Sequence, residues 1–153
     1  VNLKWIDAEY NDQVGVNVQN TAASGGLTAT DIYAAYNGSS GMLVTVPGSI
    51  VFNKGYFYAN TTSNLILTNN LSLLSPVSVA DVESYTAPIG INIYTFGAVT
   101  VKNTTVSSIS GGGAGLYIEQ QGGGSGAVSI SGGTYESNGG TAGITILRLA
   151  MSA

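Results

Sequence analysis

The fold is decided by residues 97–147, GAVTVKNTTVSSISGGGAGLYIEQQGGGSGAVSISGGTYESNGGTAGITIL, which contain the same pattern twice. The first half runs from AVTV at 98–101 to GLYI at 115–118, and the second from AVSI at 127–130 to GITI at 143–146. Each half is a short alternating strand, a polar stretch with one large apolar residue, a turn of small residues, a glycine and another alternating strand. A repeat of this period indicates a solenoid.

The earlier part of the chain follows the same register. The glycine before the closing strand recurs about every 23 to 28 residues, with Asn64 in its place once. Because Asn is the best substitute for glycine at positive φ, we interpret these positions as conformationally special. The 153 residues then form a single domain of six coils, approximately 1–26, 27–48, 49–76, 77–97, 98–126 and 127–153.

The spacing of the apolar residues predicts strands, because they recur at i and i+2. Tyr10 is interpreted as the middle apolar residue of the first coil. Coils that cannot bury their own inner face must stack, with like strands parallel and about 4.8 Å apart. The closing strands predict two inward ladders. One is Val16, Met42, Leu65, Ile91, Leu116 and Ile144, and the other is Val18, Val44, Leu67, Ile93, Ile118 and Ile146.

The composition excludes several classes of function. Only 8% of the residues are charged and the net charge is −4, so there is no electrostatic footprint for nucleic acid. The absence of His and Cys excludes Ser-His-Asp hydrolysis, thiol nucleophiles and the usual zinc sites, and no apolar run is long enough to span a membrane. We predict no cofactor and no metal. Low charge with abundant Thr, Ser, Asn and Gly favours an extracellular or cell-surface location.

The repeat resembles a known architecture. Residues 99–106 and 139–144 are similar to the repeats of right-handed parallel β-helix (pectin-lyase-like) proteins of bacterial cell surfaces. The resemblance implies an all-β, right-handed parallel β-helix of about six coils. It implies function only weakly, because that architecture hosts lyases, hydrolases, tailspikes, adhesins and filaments.

Enzymes of that architecture act on polysaccharides with carboxylates on one outer face. Asp7, Asp31 and Asp81 are the candidates here, because each follows an opening strand at a comparable phase, with Lys54 between the last two. Paired carboxylates serve as acid and base, or hold calcium together with Asn oxygens. The alternative is that these residues simply end strands and begin turns, and we expect no catalytic residue.

The ends and one outer face predict interfaces. The pattern begins at Leu3 and Trp5 without an obvious cap, and it ends in an apolar segment containing Ile144, Ile146, Leu147, Leu149 and Met151. Bare ends of a β-helix expose unpaired backbone groups, so we expect head-to-tail contacts with other copies. The closing strands also place Leu43 beside Ile66 on the outside, as an apolar contact surface or a patch covered by the following segment.

Two further features concern glycans. The sequons at Asn37, Asn60, Asn70 and Asn103 are candidate glycosylation sites. Outward tyrosines at positions 33, 56, 58 and 117 suggest a glycan-binding adhesin as one alternative function. The polysaccharide lyase or hydrolase is the other. The principal expectation is a structural cell-surface protein that stacks into a filament or forms part of a longer stalk.

Overall fold

The protein is an all-β solenoid. The computed structural model describes residues 1–69, 74–107, 109–122, 126–136, 139 and 142–149, and no helix occurs among them. Their strands are β1 (Asn2–Glu9), β2 (Val16–Gln19), β3 (Leu27–Ala35), β4 (Ser40–Thr45), β5 (Ile50–Tyr58), β6 (Ser63–Thr68), β7 (Val77–Tyr85), β8 (Ile89–Thr95), β9 (Val99–Lys102), β10 (Thr105–Ser107), β11 (Leu116–Gln120), β12 (Val128–Ser131), β13 (Thr134–Glu136) and β14 (Ile144–Arg148).

The strands form two sheets in which the pairings are parallel. The first sheet has the order β1-β3-β5-β7-β10-β13, with β9 pairing β7 and β12, and the second has the order β14-β11-β8-β6-β4-β2. Within the described residues, each coil therefore contributes one closing strand, and six such strands form the second sheet. The opening strands β3, β5, β7, β9 and β12 begin within one residue of the coil starts predicted above. The predicted parallel solenoid is confirmed, and its right-handed winding stays a prediction.

The two predicted inward ladders are confirmed by the strand register. Val16 pairs with Met42, Met42 with Leu65, and the series continues through Ile91 and Leu116 to Ile144. The second ladder runs beside it from Val18 to Ile146. Facing them, the opening strands contribute Leu27, Ile50, Phe52, Val77, Val79, Val99 and Val101 to one continuous core.

The opening strand of each coil bends at a residue with left-handed backbone. In β3 the inward residues are Leu27, Ala29, Ile32 and Ala34, so the alternation slips by one position around Asp31. That slip occurs because Asp31 has φ 57° and turns the next side chain inward. The same position has φ between 48° and 59° at Trp5, Lys54, Asp81 and Asn103, and φ 66° at Gly132 in the last coil. We call Asp31 together with Trp5, Lys54, Asp81 and Asn103 the corner column.

A second left-handed column ends the opening strands and corrects one prediction. It contains Tyr10, Tyr36, Ala59 and Thr86, with φ between 50° and 55°. Tyr10 is 73% exposed and is not the inward residue of its coil; Ala8 occupies that place, in register with Ala34. The prediction was wrong because simple alternation does not anticipate the slip at the corner.

Buried asparagines follow this second column and form a ladder along the solenoid. The Asn11 side-chain amide donates to Asn37 Oδ1 (2.8 Å), Asn37 donates to Asn60 Oδ1 (2.9 Å), and Asn60 donates to Asn64 Oδ1 (2.8 Å). Asn64 then donates to the Ser84 hydroxyl at 2.9 Å. Each coil in this region is thereby hydrogen-bonded to the next through side chains as well as strands.

The asparagine ladder explains the recurring glycine differently from the sequence interpretation. Neither Asn64 nor the aligned Gly15 and Gly41 has positive φ. A Cβ on Gly15 would lie 2.7 Å from Asn37 Nδ2, and one on Gly41 would lie 2.7 Å from Asn60 Nδ2. Glycine at this position therefore leaves space for the asparagine ladder. Asn64, which stands at the same position in its coil, is instead itself a member of the ladder.

Candidate functional site

A shallow groove of about 500 Å³ follows the bend of the first sheet. The corner column supplies one wall, and the residues two positions further along each strand supply the other. The first wall is Trp5, Asp31, Lys54 and Asp81; the second wall is Asp7, Tyr33, Tyr56 and Glu83; Ile6, Ile32 and Gly55 lie between them. The groove thus crosses four successive coils, parallel to the solenoid axis.

The groove contains all three predicted carboxylates, but not in one row. Asp31 and Asp81 belong to the corner column, whereas Asp7 pairs with Tyr33 and lies on the opposite wall. The residue at the level of Asp31 in the first coil is Trp5, so the predicted common phase of Asp7 was wrong by two positions. The error arises because the spacing was counted from the start of each strand. The first coil enters its strand earlier than the other coils do, so the same count reaches a position two residues further along.

The predicted position of Lys54 between two carboxylates is confirmed. Its ammonium lies 3.8 Å from the Asp31 carboxylate, and Asp81 accepts a hydrogen bond from Asn103 at 3.1 Å. The groove as a whole carries four carboxylates and one ammonium, a net charge of −3 from four negative charges and one positive. Half of the chain's eight acidic residues therefore line one groove.

Tyrosines extend the second wall outward. Tyr33 and Tyr56 are stacked with ring centroids 5.3 Å apart and planes within 2°. Tyr56 also contacts Tyr58 and Tyr85, and Tyr58 contacts Tyr36, which stacks on Tyr10. Burial, and then the hydrogen bond to Glu9, raise the pKa of Tyr33 above its ordinary value.

Tyr117, the fourth tyrosine predicted for glycan binding, is not part of this surface. It lies on the second sheet, 5.9 Å from the ring of Tyr94. A 2.7 Å hydrogen bond from its hydroxyl to Glu119, together with burial, raises the pKa of Tyr117 to about 12. Tyr33, Tyr56 and Tyr58 alone are brought together as predicted.

The sequons divide into three cases. Asn37 and Asn60 are buried, and both hydrogens of each side-chain amide are donated within the ladder and to the carbonyls of Ala8 and Ala34. Glycosylation at these two asparagines is incompatible with the fold. Asn103 is exposed at the corner and stays a candidate glycosylation site, and Asn70 lies outside the described residues.

The predicted interface residues lie in different environments. Leu3 is partly buried against the core, whereas Trp5 is 72% exposed, with the Lys4 ammonium 5.4 Å from its ring. Leu43 and Ile66 are half-buried neighbours on the second sheet. At the other end Ile144, Ile146, Leu147 and Leu149 are exposed, and Met151 lies outside the described residues.

In the described part of the chain, no three His, Cys, Asp or Glu side chains are arranged to hold a metal ion. No helix in the same part has the length and hydropathy needed to cross a membrane.

The geometry defines a parallel β-solenoid with a charged, tyrosine-flanked lateral groove and apolar end rungs. Comparison with family models, with curated proteins and with solved structures finds no significant match. The architecture alone therefore defines the class of this protein, a parallel β-solenoid.

Proposed function

We propose that this chain is a structural β-solenoid unit of an extracellular or cell-surface protein whose end rungs accept further β rungs. The observation that supports the proposal is the exposure of the inward ladders at one end. Leu116 and Ile118 are fully buried in the fifth coil, whereas Ile144 and Ile146, which continue the same ladders, are 37% and 47% exposed.

The backbone at the two ends supports the same proposal. Among the described strands β1 pairs only with β3, and β14 pairs only with β11. Each therefore presents an edge whose N–H and C=O groups are available to another parallel strand. An edge that also carries exposed apolar side chains gains hydrogen bonds and apolar burial when a further rung is added.

The added rung belongs either to another copy or to further coils of a longer chain. In a head-to-tail contact the first coil of one molecule pairs with the last coil of the next. Such a contact does not close on itself, and it therefore produces a filament or stalk.

Analytical ultracentrifugation across a range of concentrations tests the stacking of copies. We expect the unmodified chain to form larger species as concentration rises, and the Ile144→Lys, Ile146→Lys double variant to remain monomeric, because two ammonium groups would face the next rung. Thr145→Lys is the matched control, since Thr145 points away from the ladder in the same strand. A compact monomer of the unmodified chain at every concentration would contradict the stacking of copies.

The polysaccharide lyase or hydrolase stays an alternative. Asp31 and Asp81 are two rungs apart, about 10 Å at the rung spacing, which is close to the carboxylate separation of about 6.5–9.5 Å in inverting glycosidases. However, Asp31 is paired with Lys54, and Asp81 accepts a hydrogen bond from Asn103, so both have structural partners. Replacing Asp7, Asp31 and Asp81 together by Asn, with unchanged cleavage of a sugar polymer, would end this alternative.

A further inference from the structure

We propose that the Asn37–Gly38 pair is a site of spontaneous deamidation that the first coil keeps closed, so that prolonged opening of this coil modifies the chain irreversibly. Water is the only co-reactant that the modification needs. The hydrogen bonds between these two residues and the first coil carry the proposal, whether or not copies stack.

The reaction follows from the dipeptide itself. The backbone nitrogen of Gly38 attacks the side-chain carbonyl carbon of Asn37 and forms a C–N bond. The amide proton of Gly38 passes to water, and the side-chain nitrogen of Asn37 leaves as ammonia. Water then opens the cyclic imide to Asp or isoaspartate, so that an amide and water become a carboxylic acid and ammonia. Glycine after Asn favours this attack, because it has no side chain and the most flexible backbone.

The fold requires both members of this reactive pair, each for a separate reason. Asn37 is fully buried and belongs to the asparagine ladder. Gly38 approaches the first coil so closely that a Cβ would overlap the backbone oxygen of Asp12. Replacing either residue would therefore disturb the contact between the first two coils.

In the folded chain the reacting groups are held by hydrogen bonds that the reaction must break. Asn37 Nδ2 donates to the carbonyl oxygen of Ala8 (3.0 Å) and to Asn60 Oδ1 (2.9 Å). Asn37 Oδ1 accepts from the backbone N–H of Asn11 (3.1 Å) and from its side-chain amide (2.8 Å). The attacking nitrogen of Gly38 donates its hydrogen to the carbonyl oxygen of Asn11 (2.7 Å). Cyclisation is blocked until these bonds open, because the side chain must rotate and the nitrogen must lose its proton.

Most of this protection comes from the first coil. Ala8 accepts one of the five hydrogen bonds and Asn11 takes part in three, whereas Asn60 in the third coil accepts one. An end coil is stabilised from one side only, so it opens more often than the whole chain unfolds. The rate of deamidation at Asn37 should therefore follow the opening of the first coil.

The product of the reaction cannot restore the same contacts. A carboxylate at residue 37 has no hydrogen to donate, and it would meet the carbonyl oxygen of Ala8 and Asn60 Oδ1 as acceptor against acceptor. Isoaspartate also adds a methylene group to the main chain, which disturbs the register between the first two coils. We expect the modified chain to keep its first coil open.

Peptide mapping by mass spectrometry tests the inference, because it separates Asn37 from its deamidated forms. Asn138–Gly139, the second Asn-Gly pair of the sequence, is the internal reference. In concentrated guanidinium chloride we expect the two pairs to react at comparable rates. In native buffer of the same mildly alkaline pH, Asn37 should react at least about tenfold more slowly than in the denaturant, because the reactive conformation requires local opening.

Matched variants locate the opening event. Ile6→Ala removes a partly buried side chain of the first coil and should speed native deamidation at Asn37 at least about fivefold, because it weakens the contact with the second coil. Ile130→Ala removes a partly buried side chain of the sixth coil and should leave the rate at Asn37 unchanged. Asn37→Asp, which imitates one product, should accelerate hydrogen exchange in β1 while β5 to β8 keep their protection.

Specific outcomes would overturn the inference. They are equal rates at Asn37 in the folded and the denatured chain, slow reaction of Asn37 beside fast reaction of Asn138 in denaturant, and unchanged exchange of β1 in the Asn37→Asp variant. Equal acceleration by Ile6→Ala and Ile130→Ala would assign the reaction to global unfolding and would also overturn it. If Ile6→Ala does not fold, the unmodified chain in low denaturant replaces it. Deamidation at Asn37 should then rise before the global unfolding transition, and a rise only within that transition would contradict the inference.

Discussion

At the scale of single residues, buried asparagines place several amide groups inside this fold. Asn60 has four hydrogen bonds: it accepts from the backbone N–H and the side-chain amide of Asn37, and it donates to Ala34 O and Asn64 Oδ1. In a buried site these bonds replace the hydrogen bonds that the same groups would make to water. Leaving a buried polar group unpaired destabilises the fold by more free energy than one formed hydrogen bond contributes. The ladder is therefore stable only as a connected set.

We predict that Asn60→Ala lowers the free energy of unfolding by about 3 kcal/mol, because it leaves several buried groups without a partner. Asn11→Ala is the matched control at the exposed end of the ladder, and there Asn37 Oδ1 keeps its hydrogen bond from the backbone N–H of residue 11 (3.1 Å). We expect this control to cost less than about 1 kcal/mol. Urea unfolding measures both values, and equal losses would contradict the role of the ladder.

At the scale of elements, the bend of the opening strand depends on left-handed residues that are mostly not glycine. Trp5 and Lys54 adopt φ 58° and 59°, although long and aromatic side chains rarely occur there. Stacking imposes this conformation, because each corner residue must repeat the backbone of the coils on either side. The bend also creates the groove, so the local strain and the candidate site share one cause.

We predict that the same substitution has opposite effects at two positions of these strands. Ala59→Gly should raise the free energy of unfolding by about 0.5–1 kcal/mol, because Ala59 has φ 52° and glycine relieves the left-handed strain. Ala80→Gly, in the regular part of β7, should lower it by about 0.5–1 kcal/mol through added freedom of the unfolded chain. Thermal and urea unfolding check both, and effects of the same sign would contradict the presence of left-handed strain at Ala59.

At the scale of the whole molecule, stability is expected to be graded along the axis. In a solenoid each coil contacts only its neighbours, so an inner coil is stabilised from two sides and an end coil from one. The described core reflects this, because Phe52, Phe57, Leu65 and Leu67 are fully buried, whereas Leu3 and Ile6 at the first coil are only partly buried.

Hydrogen exchange followed by mass spectrometry should therefore show β1 and β14 exchanging first and β5 to β8 last. The physical reason is that opening an end coil breaks one inter-coil interface, whereas opening a middle coil breaks two. If copies stack, raising the protein concentration should slow exchange at the two ends and leave the middle unchanged. Uniform protection from β1 to β14 would contradict the graded model.

The sequence by itself determined the parallel solenoid and both inward ladders. The ladder residues from Val16 to Ile144 could be aligned with one another because the two-residue alternation and the recurring glycine are local patterns. Such patterns are visible in a single sequence. Asp31, Lys54 and Asp81 were also placed in one column, since they follow their strands at the same distance.

Only the tertiary structure decided the slip of alternation, the asparagine ladder and the groove. From the sequence, Asn37 and Asn60 were interpreted as glycosylation sequons and Trp5 as a residue of an end interface. The neighbouring residues in the chain contain no sign of the roles that the structure gives them. Their roles come from contacts between residues more than 20 positions apart: Asn37 with Asn60, and Trp5 with the level of Asp31. Local spacing specifies which residues point inward along a strand, whereas the stacking of coils specifies where the backbone bends and which side chains meet.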